Sequence, residues 1–253
     1  MRVTFLGTGT SMGVPVAGGF GSEFISSDPR DKRTRCSLWV QTEKTSLLID
    51  AGPEFRLQTL ASGLSSIDAL LVTHEHMDHV TGIDDLRSFN YDAGSSIPCF
   101  SSERILHSIQ HRFDYLFGSD RYPGSTHLAC KVVEKPFELG DATITPIPIL
   151  HGSLPILGYR INDLVYLTDI SGLPETSRPL VEGANVLILG ALRWGDSHPS
   201  HFTMEQAVEF VESLDVSETY FIHMNGSVDT QKSHDSLPEN IRLAHDQQVL
   251  WVQ

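Results

Sequence analysis

The sequence predicts an α/β protein in which two β-sheets pack face to face between outer helices, a four-layer αββα sandwich. Three observations predict it. Short β-rich runs bounded by turn residues recur along the chain. Helical spacing appears between those runs rather than in one block. The order of strands first, then strands interleaved with helices, occurs roughly twice, once in each half. A length of 253 residues allows one domain over 1–253 with a substantial core.

The elements follow in order. Val3–Leu6, Ser37–Gln41 and Ser46–Asp50 read as strands. Gly18–Arg35 is polar, Gly-rich and charged, and reads as a long surface loop. Pro53–Ala61 reads as a short helix with proline at its start. Ala69–Thr73 is a buried strand by its continuous apolar character. Ser101–Phe117 has helical spacing through Ile105, Ile109, Phe113 and Leu116. Further strands are expected at Cys130–Val133, Ala142–Ile149, Gly158–Ile161, Leu164–Thr168, Val186–Leu189, Thr219–Ile222 and Val249–Val252. Helices are expected at Pro174–Val181 and at Thr203–Leu214, with Ser200 or Thr203 as the cap of the second.

Composition excludes several classes. Apolar residues make up 40% and charged residues 20%, which is globular rather than disordered. Lys plus Arg is 18 against 32 for Asp plus Glu, a net charge of −14. So acidic a surface disfavours broad binding to nucleic acid or to an anionic membrane, and neither partner is expected. No signal-peptide hydrophobic region develops at the N-terminus, and no apolar run reaches the roughly 18 residues of a membrane helix. Cys36, Cys99 and Cys130 are an odd, widely spaced set and form no disulfide framework. The expected location is the cytoplasm.

The chemistry concentrates in Thr73-His74-Glu75-His76-Met77-Asp78-His79, directly after a predicted strand. Imidazole and carboxylate suit zinc and similar first-row metals. Alternate residues of a strand-to-helix turn can face one site, so His74 and His76 can share a metal while Asp78 and His79 reach a second. Four ligands cannot fill two coordination spheres. His151, Asp169 and His223 each lie at the C-terminal end of a later predicted strand. The simplest partition places His74, His76 and His151 on one metal and Asp78, His79 and His223 on the other. Asp169 bridges them, and each metal keeps an open position, the mark of a catalytic site. Asp50 ends its own strand and is expected to accept the N–H of a ligand histidine, fixing its tautomer.

On these residues the chain resembles the metallo-β-lactamase superfamily. His74-x-His76-x-Asp78-His79, His151, Asp169 and His223 match its metal motifs in order, and the Phe5-Leu6-Gly7-Thr8-Gly9-Thr10 and Leu48-Ile49-Asp50-Ala51-Gly52 runs are also similar. Within it, Gly82-Ile83-Asp84-Asp85-Leu86-Arg87, Ala191-Leu192-Arg193 and His198-Pro199-Ser200-His201-Phe202 resemble the phosphoribosyl 1,2-cyclic phosphodiesterase family. The resemblance implies the superfamily's αββα fold and a catalytic role for Asp78 and His201, the histidine beside the substrate phosphate. It also implies a small phosphorylated substrate and two divalent metal ions, Zn²⁺ first, with Mn²⁺ able to substitute. Relatives often form homodimers, and no interface is legible here. The Gly18–Arg35 loop lacks the cysteines of a structural zinc knuckle found in better-known members.

Two such ions about 3.5–4 Å apart bring a bridging water to hydroxide near pH 7, ready to attack phosphorus. His201, with a pKa expected near neutrality, protonates the leaving oxygen. Arg33, Arg35 and Arg87 are candidate anion contacts, because a planar guanidinium pairs well with phosphate. His198, extended before Pro199, is a weaker one. The alternative for Arg33 and Arg35 is a solvated charged loop, and Arg87 can pair with Asp84 or Asp85 on its own helix. A tRNA 3′-end endonuclease of the same superfamily needs a basic arm that the chain lacks. A thioester hydrolase could use the same ligands. A non-catalytic module ranks last, because all seven ligand residues are present.

Overall fold

The computed structural model describes residues 1–19, 26–90, 96–117, 124–234 and 236–253, without the side chain of residue 234. Part of the expected Gly18–Arg35 loop, 20–25, lies outside them. The strands are β1 (Arg2–Gly7), β2 (Ser37–Gln41), β3 (Ser46–Ile49), β4 (Ala69–Leu71), β5 (Ile97–Ser101), β6 (Leu128–Val132), β7 (Phe137–Leu139), β8 (Ala142–His151), β9 (Leu154–Ile161), β10 (Leu164–Leu167), β11 (Ala184–Gly190), β12 (Val216–Ile222), β13 (Ile241–Leu243) and β14 (Val249–Trp251). The α-helices are α1 (Phe55–Ser62), α2 (Met77–Val80), α3 (Arg87–Asn90), α4 (Glu103–Arg112), α5 (Met204–Glu212) and α6 (Thr230–His234).

Two seven-stranded sheets result, ordered β14-β1-β2-β3-β4-β5-β6 and β13-β12-β11-β10-β9-β8-β7. The last strand returns to the first sheet: β14 pairs antiparallel with β1, Arg2 opposite Trp251. Strand alternation explains the layers. In β10, Leu164 and Tyr166 join the cluster that also contains Phe5, Leu38, Leu47 and Leu71 of the first sheet. Val165 and Leu167 join the opposite cluster with Met204, Ala207 and Val211 of α5. β11 repeats this, with Val186 and Ile188 inward and Leu187 and Leu189 outward. A strand buried on both faces reads as a continuous apolar run. Tyr159 ties the sheets, donating its hydroxyl to Val72 O at 2.8 Å and to Phe100 O at 3.2 Å.

The four-layer fold expected from sequence is the one found. Some elements differ in extent. The Ser101–Phe117 run begins as the end of β5 and becomes α4 only from Glu103. It closes after Arg112, where Phe113 leaves helical geometry at φ −115°, ψ 40°. Pro174–Val181 is not an α-helix. It forms a single tight turn over Arg178–Leu180, where Pro179 cannot donate a helical hydrogen bond. The three-residue strands β7 and β13, each at a sheet edge, were too short to show a period. α5 starts as expected: Thr203 Oγ1 accepts from Gln206 N at 3.2 Å and Gln206 Oε1 from Thr203 N at 3.0 Å, a capping box.

Candidate metal centre

The residues that carry chemistry lie where strands end. Asp50 follows β3, His74 is the third residue after β4, and His151 closes β8. Asp169 follows β10, and His223 follows β12. Ligand sites in α/β sheets gather outside the carboxyl ends of parallel strands, and β3–β4 and β10–β11–β12 are parallel. Asp50, Asp169 and His223 hold left-handed backbone conformations at φ 59°, 53° and 62°. Such conformations are uncommon away from glycine and cluster at functional sites. They turn each chain sharply off its strand and into the crevice. Gly52 permits the close fit of the Asp50 turn beneath α2: a Cβ there would sit 2.2 Å from the Asp78 carbonyl oxygen.

Asp169 is the centre of the constellation. Its Oδ1 lies 3.0 Å from His223 Nδ1 and 3.3 Å from His79 Nε2, and its Oδ2 lies 3.9 Å from His74 Nε2. Asp78 Oδ2 is 3.2 Å from the same His79 Nε2. His74 Nε2 is 3.0 Å from His76 Nδ1, and the ligand atoms of His74, His76 and His151 lie within 4.8 Å of one another. The same spacing holds for His74, His79 and Asp169. The nitrogens turned away from the centre are engaged: His79 Nδ1 by Asp50 Oδ2 at 2.7 Å, His151 Nδ1 by Ser200 O at 2.8 Å, and His74 Nδ1 by Thr73 Oγ1 at 3.0 Å. Outer partners of this kind aim a histidine at a metal. His79 Nε2 is buried with no hydrogen-bond partner, although carboxylate oxygens flank it. An orphaned buried nitrogen amid converging imidazoles and carboxylates fits a divalent cation.

The charges reinforce this. Burial disfavours charge on His79, but Asp169, Asp50 and Asp78 outweigh it and hold its pKa well above the usual value. Burial likewise opposes charge on His223, yet Asp169 raises it to about 10. Burial works against the Asp169 carboxylate, and His223 and His79 reverse this, keeping it ionised. Asp78 is lowered in the same way, mainly by His79 against burial. Burial, aided by His79, keeps His74 neutral. The site is a buried network in which the carboxylates and imidazoles set one another's charge.

Residues 45–224 match the Beta-lactamase superfamily domain, well over half of the 253-residue chain. The chain belongs to the metallo-β-lactamase superfamily. A crystal structure described as a new diphosphatase from the PhnP family is 36% identical, with a TM-score of 0.90 over 100% of this chain and 98% of that one. An octanoyltransferase of Porphyromonas gingivalis is 38% identical over 250 residues, covering 97% of this chain and 50% of that protein. A ribonuclease Z of Bradyrhizobium diazoefficiens is 27% identical over 161 residues, 62% of this chain and 48% of that protein. The chain spans about half the length of the curated relatives it matches. The superfamily is one of metal-dependent hydrolases, and the cluster of this metallo-β-lactamase chain is compatible with divalent metal.

All seven expected ligand residues of the metallo-β-lactamase pattern come together, and Asp50 lies beneath them. His201 stands at the opening, its ring centroid 4.7 Å from that of His151 and 4.7 Å from that of His223. Its expected near-neutral pKa is not found: burial, with the charge of His223, lowers it to about 3. His198 is one ring further out, 5.0 Å from His201. Arg35 is occupied by an ion pair with Glu54. Arg87 does not join the cluster: it sits 3.9 Å from Asp84 and lines a separate shallow pocket with Phe55 and Phe89. Arg33 is not solvated. Its side chain is fully buried, with Nη2 2.7 Å from Asp31 Oδ1 and 3.1 Å from both Val228 O and Thr230 Oγ1.

Sequence reasoning missed several supports. Thr73 donates N–H to Asp50 Oδ1 at 2.8 Å and its hydroxyl to Asp50 Oδ2 at 2.7 Å. Thr168 donates its hydroxyl to Asp169 Oδ1 at 2.6 Å. Thr10 Oγ1 lies 3.4 Å from His223 Nε2, and Cys36 Sγ lies 3.7 Å from its Nδ1. Thr73 and Thr168 each precede a ligand residue, a signal that was available. Thr10 and Cys36 reach His223 across more than 180 residues, and no local pattern announces that.

Proposed function

We propose that the protein is a dinuclear metal-dependent phosphodiesterase that acts on a small cyclic phosphodiester such as phosphoribosyl 1,2-cyclic phosphate. The observation that carries this reading is the pair of oxygens on Asp169, one toward His74 and one toward His79 and His223. One carboxylate thus faces two ligand sets, with His201 beside a histidine of each. The 36% identical diphosphatase supports reaction at phosphorus.

In this reading His74, His76 and His151 hold one ion, Asp78, His79 and His223 hold the other, and Asp169 lies between. Divalent ions bound there supply hydroxide at neutral pH and neutralise charge on phosphoryl oxygens. Zn²⁺ suits the donor set, and Mn²⁺ can replace it. Asp50 orients His79, and Ser200 O orients His151. His201, kept neutral by burial, presents its ring N–H to the phosphate. A phosphate anion arriving beside it favours the imidazolium, which can then protonate the leaving oxygen.

The domain over 1–253 is proposed to work in the cytoplasm. Among the described residues no helix is long and apolar enough to cross a membrane. A second reading, RNA hydrolysis, is favoured by the ribonuclease Z relative. The net charge of −14 weighs against it. Protein loaded with Zn²⁺ or Mn²⁺ is tested on bis(p-nitrophenyl) phosphate, a precursor tRNA and an acyl thioester. Turnover of the small diester alone is expected. Cleavage of the tRNA with no small-diester turnover would move the assignment to RNA, and thioester turnover alone would remove phosphorus from it.

A further inference from the structure

Asp246 lies on the link between β13 and β14, which crosses from the edge of the second sheet to the edge of the first. Ala244 N donates to Phe221 O of β12 at 3.0 Å, and Gln247 N donates to Phe5 O of β1 at 2.7 Å, so the link is fastened to both sheets. Between these two ties the Asp246 carboxylate takes four hydrogen bonds. Thr8 N and Oγ1 donate to Oδ1 at 2.9 and 2.8 Å, and Thr34 N and Oγ1 donate to Oδ2 at 2.7 and 2.6 Å. Each oxygen thus meets one backbone N–H, which fixes the carboxylate and the two chain segments against each other.

One of those segments runs alongside the His223 turn. Met224 N donates to Thr8 O at 3.1 Å, and Thr10 N donates to Met224 O at 3.1 Å. Thr10 Oγ1 lies 3.4 Å from His223 Nε2, and the Cys36 thiol, which donates to Gly9 O at 3.3 Å, lies 3.7 Å from His223 Nδ1. On its other side Gly9 N donates to Thr34 O at 2.7 Å. Gly9 permits this close approach: a Cβ there would sit 2.8 Å from Arg33 O. The His223 backbone is left-handed at φ 62°. Such a conformation persists only where the surrounding structure over-determines it. The Thr8–Thr10 segment supplies that constraint, and Asp246 holds the segment.

We propose that Asp246 is a positioning residue for His223: through Thr8 and Thr34 it fixes the Thr8–Thr10 segment, which holds the His223 turn and aims its ring at the centre. This rests on the dinuclear reading above, in which His223 serves the ion shared with Asp78 and His79. Asp246 itself touches no ligand residue. Its effect should therefore fall on that ion alone, because His74, His76 and His151 sit on other turns and His151 is oriented by Ser200 O. Asp246→Asn tests the carboxylate closely. An amide has one acceptor oxygen, and its nitrogen would face a backbone N–H of Thr8 or Thr34 that cannot turn away.

The test titrates Zn²⁺ into metal-free wild type, Asp246→Asn, Thr10→Val and the double variant, each shown to be folded by circular dichroism. In Asp246→Asn one ion is expected to bind as in wild type and the other roughly tenfold more weakly. Lower thermal stability with both affinities unchanged would make Asp246 merely structural and overturn the proposal. The double variant should lose less than the product of the two single losses, because both act through one segment. A full product would break the route through Thr10. If Asp246→Asn does not fold, Thr8→Val, which removes one donor to the carboxylate, is titrated instead, and unchanged affinity for both ions there overturns the proposal. Imidazole NMR of the metal-free proteins reads the positioning without metal. His223 signals should shift in the variant while those of His151 stay, and unmoved His223 signals refute it. If wild type binds fewer than two ions, the dinuclear reading fails separately, and this NMR comparison decides the role of Asp246.

Discussion

Asp50 Oδ2 lies 2.7 Å from His79 Nδ1, and both side chains are fully buried at the floor of the cluster. The same carboxylate takes two hydrogen bonds from Thr73, the residue before His74. One side chain therefore fixes both ends of the His74–His79 segment. Asp50→Asn keeps the volume but removes the charge and turns one acceptor oxygen into a donor, so His79 and Thr73 can no longer both be served by carboxylate oxygens. Metal affinity should fall roughly 10- to 100-fold, the usual weight of such an outer partner. Isothermal calorimetry with Zn²⁺ measures it, and wild-type affinity in the variant would mean that His79 is oriented by something else.

The metal-free site should hold protons that metal displaces. The pKa of His223 is raised to about 10, and that of His79 is also raised, so both are protonated at pH 7. Metal binds neutral imidazole. Loading at pH 7 should release protons, seen as a dependence of calorimetric heat on buffer ionisation enthalpy. Apparent affinity should rise by about tenfold per pH unit for each proton displaced, up to the pKa of the group. A pH-independent affinity between 6 and 8 contradicts this.

His201→Ala should retain full metal content and lose about 10²–10⁴ in kcat, the range of a general acid. Its lowered pKa of about 3 in the metal-free protein adds a second readout. In wild type without ligand, the His201 imidazole NMR signals should not titrate between pH 5 and 8. Binding of a phosphate analogue should bring its titration upward. Titration near 6.5 in the free protein would show that burial does not govern it.

Arg33 joins two distant parts of the chain. Its side chain is wholly buried, and it reaches Asp31, Val228 and Thr230 together. Arg33→Met would leave Asp31 buried without its cation. The expected loss of stability is about 3–5 kcal/mol, read from urea denaturation. A loss under about 1 kcal/mol would place the ion pair in effective contact with water.

These cases show what the sequence could and could not display. His74, His76, Asp78 and His79 were legible because four ligand-type residues fall within six positions. His151, Asp169 and His223 were legible because each ends a strand that β periodicity could mark. The burial of Arg33 was not legible, since its partners Val228 and Thr230 lie 195 and 197 residues away. The pKa of His201 was hidden for the same reason: burial and the His223 charge come only with the fold. Arg87 looked like a phosphate contact by residue type, but the fold places it beside Asp84 and next to α1, away from the cluster. Local patterns reveal ligands and strands, while tertiary contacts decide which charges remain free.

The most direct test of the central claim is phosphorus NMR of 5-phosphoribosyl 1,2-cyclic phosphate with Zn²⁺- or Mn²⁺-loaded protein, beside Asp169→Ala and with metal content measured for both. Wild type is expected to hold two ions and open the ring, and the variant to lose metal and activity together. An intact ring in wild type with two ions bound, or full activity and two ions in Asp169→Ala, would contradict the account.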